Sequence, residues 1–296
     1  AHLVKNPTLP EITNGLKVSA KDILKVIKSI KEAGKANDIA KLKGLDSTRS
    51  DIILAGALII EFAIEYLDIK DLEISNYALR EGIVFDTIQK QKTLAENHHL
   101  GNLRFNTIKN LCYKFNQNMT HSEQVAKLSL ALFDGLKPLH KLEDSERELL
   151  EAAAYLHDVG FFLSHDKHHK HSYYIIKHTM MPGFTNNESE IIANIARYHR
   201  KSPPSKNHES FSILTSRNQF VVWILGGILR IAEGLDRRQA NAVDDLSIEI
   251  NAEKVVINLI PNKNGFTPDI ELWGANRRRG MLEDKLEIEI KFKISK

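Results

Sequence analysis

The spacing of apolar side chains changes twice along this chain, and the changes divide it into three stretches. Val18, Ile23, Val26, Ile27 and Ile30 recur at helical spacing among lysines, so residues 17–36 read as a basic amphipathic helix stopped at Gly34. A short apolar run from Arg49 reaches Gly56 and flows into Leu58–Tyr66, which fits either a strand–turn–helix or a buried helix with a packing glycine. Residues 71–75 (DLEIS) read as a strand, and Leu79-Arg-Glu-Gly82 opens a further helix. From about 88 to 240 the strand signal almost vanishes, leaving amphipathic helices punctuated at Gly135/Pro138, Gly160, Pro182-Gly183 and Pro203-Pro204. Period-two alternation then takes over in Leu246–Ile250, Val255–Ile260 and Leu286–Phe292, with a short helix around Ile270–Arg278. The pattern gives a mostly α chain, with 1–90, an all-helical 91–240 and a small α+β unit at 241–296.

The helical stretch places several histidines and acids on buried faces. Thr120-His-Ser-Glu123 has the form of a capping box ahead of Val125, Leu128 and Leu132, which puts His121 in the first turn and able to face inward. Leu149, Ala153 and Leu156 form a stripe that ends at His157-Asp158-Val-Gly160, with the glycine as a C-terminal stop. Ile192, Ile195 and His199 share a face, which half-buries that imidazole. Val221, Leu225, Ile228 and Ala232 trace a stripe whose next member is Asp236, where a carboxylate must be paired, protonated or metal-bound. Taken singly, a histidine on an apolar face is most often a hydrogen-bonded core residue, and Asp236 has Arg230 and Arg237 as ordinary partners. Taken together, two imidazoles and two carboxylates form a nitrogen/oxygen set suited to Mn, Fe, Co, Ni or Mg. His121, His157, Asp158 and Asp236 are therefore the expected metal ligands, with His168 and His199 flanking them.

Composition narrows the chemistry. With 42% hydrophobic and 27% charged residues the balance is that of a globular protein, and no apolar run approaches a membrane span. The single cysteine, Cys112, supplies neither an internal disulfide nor a thiolate cage, which leaves any metal to His and carboxylates and favours a reducing cytoplasm. Net charge of +3 conceals a concentration of Lys and Arg over 165–238. That field is mild attraction for an anion and not a specific nucleic-acid footprint. Ser164–Ser172 reads as a solvated loop dense in imidazole and ammonium. Lys167, Lys170, Arg197, Arg200 and Lys201 are the expected phosphate-binding residues, because phosphoryl chemistry relies on such charge clamping. The run Arg277-Arg278-Arg279 reads either as a polyanion grip or as a solvated face. The first residues, AHLVKNPTLPEITNG, lack an initiator Met and the architecture of an export signal, so the chain is expected to begin in mid-protein.

The wording around these residues resembles known families. His121, then His157-Asp158, then Asp236 resembles the HD-domain superfamily of metal-dependent phosphohydrolases. LHDVGFFLSHDKHHKHSYYII, IARYHRK and LRIAEGLDR are similar to the helical domain of the exopolyphosphatase / guanosine pentaphosphate phosphohydrolase (Ppx/GppA) family. Upstream, GLDSTRSDIILAGALII and ISNYALREGIVFD resemble the end of that family's actin-like phosphatase domain, and IELWGANRRRGMLEDKL resembles its closing α+β unit. The resemblance implies the C-terminal part of an actin-like lobe, an HD-type helical domain and a small α+β unit. It also implies Mg²⁺-dependent release of terminal phosphate from polyphosphate or guanosine pentaphosphate, polyanion binding by the helical domain, a homodimer, and Gly56 as a wall of the interlobe cleft. The family's phosphate-binding segments, Asp-x-Gly-Ser and Asp-Ile-Gly-Gly-Gly-Ser, are absent, and Gly226-Gly227 falls inside a helix. The catalytic carboxylate is therefore expected in an N-terminal lobe outside this sequence. Two alternatives remain open at this point: an autonomous metal-dependent HD phosphohydrolase acting on nucleotides, and a non-catalytic polyanion-binding module.

Overall fold

Gly34 stops the first helix where the lysine-rich amphipathic pattern runs out. In the computed structural model, helix α1 (Ala20–Ala33) ends with Gly34 at φ 67°, its N–H donating to Ile30 O. The start lies later than the pattern suggests. Ser19 caps the helix by accepting from Asp22 N, and the residues before it, Lys17–Ser19, form strand β1. β1 pairs antiparallel with β2 (Asp71–Glu73), with Val18 opposite Leu72. The structure describes residues 15–42, 44, 45, 47–75, 78–80, 82, 83, 101–251, 253–263 and 265–295. They divide into two compact units, one up to Asn97 and the other from His98. The expected helix opening at 79–82 is helical at Leu79, Arg80 and Gly82, while 1–14 and 84–100 lie outside the described residues.

In the first unit a short helix, α2 (Ala36–Ile39), and a longer one, α3 (Ile53–Tyr66), pack on α1 around Ile27, Ile30, Ile39 and Ala57. Of the two readings of 49–66, the helix is the one adopted, but it is not buried. Ile59 is 70% and Phe62 66% exposed, and a Cβ on Gly56 would meet open space. Gly56 is thus not a packing glycine within this unit.

The second unit is a helical body: α4 (Gly101–Lys114), α5 (Met119–His140), α6 (Asp144–Leu156), α7 (His168–His178), α8 (Asn186–Arg197), a single turn α9 (Glu209–Ser212) and α10 (Ser216–Leu235). Leu128 and Leu132 of α5, Leu150 of α6, Ile192 and Ile195 of α8, and Leu225 and Ile228 of α10 are wholly buried in one shared core. Each such side chain contributes roughly 1.5–3 kcal/mol by leaving water. The expected break at Gly135/Pro138 does not occur. Pro138 sits in the last turn of α5, which Lys141 closes in the left-handed region, so only terminal bonds of the helix are affected. Gly135 has a packing reason instead, since a Cβ there would lie 2.5 Å from Ile248 Cδ1.

Two strands follow as a hairpin, β3 (Val243–Ile250) and β4 (Lys254–Pro261); then come helices α11 (Asp269–Asn276) and α12 (Gly280–Leu286), and finally β5 (Glu289–Ile294). β4 is central, antiparallel to β3 and parallel to β5. The two helices form the crossover that a parallel pair requires. Strand β5 begins later than its alternating pattern, because α12 carries through Leu286 and Glu287 turns the chain at φ 54°. Val255, Ile257 and Leu259 are fully buried and belong to the same core as the helices. No helix among the described residues is long and apolar enough to cross a membrane.

Candidate metal centre

The chemistry-bearing residues sit at helix ends. His121 is in the first turn of α5, but the cap is not the one the sequence pattern suggests. Asn118 is the N-cap and accepts from His121 N, leaving Thr120 inside the helix. His157 is the C-cap of α6, with Asp158 next to it. Gly160 does not stop α6 in a left-handed conformation. It lies in a 3₁₀ turn, Val159–Phe162, whose α7 neighbour would clash with any side chain: a Cβ would stand 2.0 Å from His168 O and 2.5 Å from Ser172 N. Ser172 ties the turn to α7, its hydroxyl donating to His157 O at 2.6 Å and accepting from Gly160 N at 2.9 Å. The stretch read as a solvated loop, 164–172, is helical from His168 on, and His168 and His169 are buried. His199 follows α8 and is 1% exposed rather than half-buried, while Asp236 is the wholly buried C-cap of α10.

Four imidazoles surround Asp158. Its Oδ2 lies 3.4 Å from His157 Nε2 and 4.0 Å from His121 Nε2. Its Oδ1 lies 3.3 Å from His168 Nε2 and 3.6 Å from His199 Nε2. On the far side of each ring Nδ1 is committed: His157 to Ala154 O, His199 to Ala196 O, His168 to His165 O, and His121 to Asp236 Oδ2 at 2.7 Å. Carbonyls and carboxylates only accept, so each Nδ1 carries the proton and each Nε2 turns a lone pair inward. His168 Nε2 and His199 Nε2 face each other at 3.3 Å, and the buried Nε2 of His157 has no hydrogen-bond partner. Converging lone pairs around a carboxylate repel unless a cation lies among them. Two groups of atoms come close enough to ligate one, His121/His157/Asp158 and Asp158/His168/His199. The residues thus fit a divalent ion, and the rear contacts are those that orient metal-binding imidazoles.

The charge preferences of the rings differ, and a bound cation at Asp158 would displace the proton that His157 otherwise favours. Burial pushes His199 well below its ordinary value, so its lone pair stays available. Burial opposes charge on His157 too, but the Asp158 carboxylate outweighs it and raises that imidazole. Burial also works against ionised Asp158; nevertheless His157, then His168 and His199, hold its carboxyl well below the usual carboxylate range.

Asp236 stands apart from the inward ring. It backs His121, and its Oδ1 accepts from Asn241 N, so neither Arg230 nor Arg237 is its partner. The five expected phosphate-binding cations separate. The Arg200 guanidinium lies 3.2 Å from His168 Nε2, and with Lys201 it lines a cavity beside His199. Arg197 turns away to Ser210 Oγ. Lys167 precedes α7 at φ 53° and pairs with Asp166, and Lys170 is exposed on α7. Gly56 belongs to the first unit. The arginine run divides as well, with Arg277 and Arg278 on the cavity and Arg279 bonded to Ile290 O. A second cavity of about 540 Å³ opens onto His121 and Asp158 between Phe115, Phe161, Phe162 and Gln239. Sequence reasoning missed Ser172, Phe161 and Gln239, which carry no motif signal of their own. Gly160 was the only visible trace of the tight 3₁₀ contact.

Comparison with known proteins gives matches in both units. Residues 103–278 match the model for Ppx/GppA phosphatase, domain III, and residues 4–91 match that of the Ppx/GppA phosphatase family. Similar curated proteins are named guanosine-5'-triphosphate,3'-diphosphate pyrophosphatase. That from Pseudoalteromonas atlantica is 31% identical over 71% of this chain and 40% of its own length. Those from Pseudoalteromonas translucida and Photobacterium profundum are 28% and 27% identical, each over 74% of this chain and 42% of their own. The chain thus spans about two fifths of the length of these relatives.

Proposed function

The chain belongs to the Ppx/GppA phosphatase family, and from that premise we propose that the intact protein is a phosphoric anhydride hydrolase acting on guanosine pentaphosphate. The similar proteins named guanosine-5'-triphosphate,3'-diphosphate pyrophosphatase support this substrate. Release of terminal phosphate from polyphosphate, use of Mg²⁺, a cytoplasmic location and assembly as a homodimer belong to the same proposal and rest on the family resemblance. The chain is the C-terminal part of that hydrolase. Its 1–90 segment adjoins the actin-like cleft with Gly56 on the wall, and its HD-type helical domain binds the polyanion and a divalent metal.

The observation that carries the metal role is the inward turn of four Nε2 lone pairs onto Asp158. His121, His157 and Asp158 would hold one ion, and His168 and His199, through the other oxygen of Asp158, complete a second ligand group. So nitrogen-rich a donor set suits Mn, Fe, Co or Ni better than Mg, which prefers oxygen. A divalent ion held there supplies Lewis acidity to a phosphoryl group. The chain's own residues orient the imidazoles, keep His199 neutral and keep Asp158 ionised.

A second reading, an autonomous phosphohydrolase of nucleotides, is favoured by the cavity that opens onto His121 and Asp158. Elemental analysis of the purified chain tests the centre. At least one divalent transition ion per chain is expected, falling at least tenfold in Asp158→Ala, and a metal-free wild type with a correctly folded spectrum would overturn it. Phosphate release then separates the readings. Activity on guanosine pentaphosphate from the full-length protein alone supports the first, turnover by this chain alone supports the second, and none from either sinks both.

A further inference from the structure

Beside His199 lies a cavity of about 360 Å³ whose wall is strongly cationic. Arg200, Lys201, Arg230, Arg237, Arg277 and Arg278 line it against one carboxylate, Glu233. Glu233 is already engaged by Arg278 at 2.6 Å, with Arg237 at 3.9 Å. Arg230 is also committed, donating to Tyr198 O at 2.6 Å and to the carbonyls of Lys201 and Ser202. None of the described carboxylates pairs with Arg200, Lys201 or Arg277, so the cavity holds more positive charge than its own walls neutralise. Burial, with Arg278 alongside, pushes Arg230 down to about 10.

The rim adds an aromatic surface. Trp273 is 52% exposed, unusual for an indole, and one of its faces carries the Arg277 guanidinium at 4.9 Å from the ring centroid. A flat π surface beside a cationic pocket is the arrangement on which a nucleobase stacks while its phosphates are clamped. A volume of this size suits a small ligand rather than a long polymer groove. We propose that this cavity binds a nucleoside polyphosphate, with the base on Trp273 and the phosphate chain on Arg200, Lys201 and Arg277. Arg200 also touches the His168 ring, so the phosphate end of the ligand abuts the histidine centre. The inference rests on the polyanion-binding role given to the helical domain above and adds a base-recognition element to it.

Calorimetric titration of the 296-residue chain with GTP and, separately, with inorganic tripolyphosphate tests it. Both should bind, GTP at least tenfold more tightly. Lys201→Glu and Arg277→Glu should weaken both ligands at least tenfold, whereas Trp273→Ala should abolish the advantage of GTP and leave tripolyphosphate unchanged. Trp273→Phe should restore most of that advantage, which separates stacking from damage to the fold. Equal affinities in wild type, or a GTP preference that survives Trp273→Ala, would overturn the nucleoside assignment while leaving polyanion binding intact. Binding of neither ligand, or binding indifferent to both charge reversals, would remove the polyanion role together with the inference.

Discussion

Asp236 shows how far one residue's role depends on its neighbours. Its place after an apolar stripe marks it as a buried carboxylate in need of a partner, and the structure supplies His121 Nδ1 at 2.7 Å. A carboxylate behind a ligating imidazole fixes its tautomer and raises its basicity, so Asp236→Ala should reduce metal affinity about 10- to 100-fold, measured by competition with a chelator. An unchanged affinity would mean that His121 is no ligand. His140 makes a different prediction, remote from that centre. It is 3% exposed, its Nε2–H donates to Phe133 O, and its Nδ1 accepts from Leu142 N. The bond that Nδ1 accepts requires the neutral ring, and burial lowers its pKa. The stabilisation is therefore complete above the unfolded value of about 6.5 and is lost as pH falls toward the lower folded value. Between wild type and His140→Gln, the difference in midpoint of urea unfolding should shrink as pH is lowered below about 6, and a constant difference would refute the assignment. Cys112 packs in the core of the helical body, where its thiol is fully buried and burial pushes it up to about 12. It should resist alkylation at pH 8 until the protein unfolds.

At the scale of elements, the site is made by helix ends held at short distances by small residues. Gly274 of α11 approaches α10 so closely that a Cβ would lie 2.5 Å from Gly234 O. Gly274→Ala must therefore separate the two helices and should cost about 2–3 kcal/mol in chemical denaturation. Because α11 carries Trp273 and Arg277 lies just after it, the same variant should weaken tripolyphosphate binding; retention of both stability and binding would show that the contact is slack. Gly160 plays the equivalent role under His168. Neither glycine is distinguishable in the sequence from a helix terminator, since the clash involves backbone from an element remote in the chain or a turn away. The apolar alternation of 246–260 did identify two strands, because a half-buried strand imposes its period on the sequence whatever covers it, but their pairing as a hairpin came from the structure.

For the whole molecule, the histidine centre joins α5, α6, α7 and α8, with α10 behind it, so an ion held there would cross-link most of the helical body. Removal of metal by a strong chelator should lower the melting temperature by several degrees, reversed by adding Mn²⁺ or Co²⁺. A melting temperature indifferent to both would leave the centre without a stabilising ion. Most of the helices in outline, the strands of 246–260, the buried stripes and the gathering of His121, His157, Asp158, His168 and His199 in the helical stretch were legible in the sequence, because each is set by local periodicity or by residue type. The helix from His168 and the unbroken passage through Gly135 and Pro138 were not legible there. The family resemblance too was carried by contiguous words. Tertiary structure alone decided the direction of the rings, the withdrawal of Asp236 behind His121, and the separation of Arg200 and Lys201 from Arg197. It alone brought Lys201 to the cavity that Trp273 and Arg277 line. Those outcomes turn on which backbone carbonyl or side chain meets each group across the fold, information that the spacing of residues along a single chain does not contain.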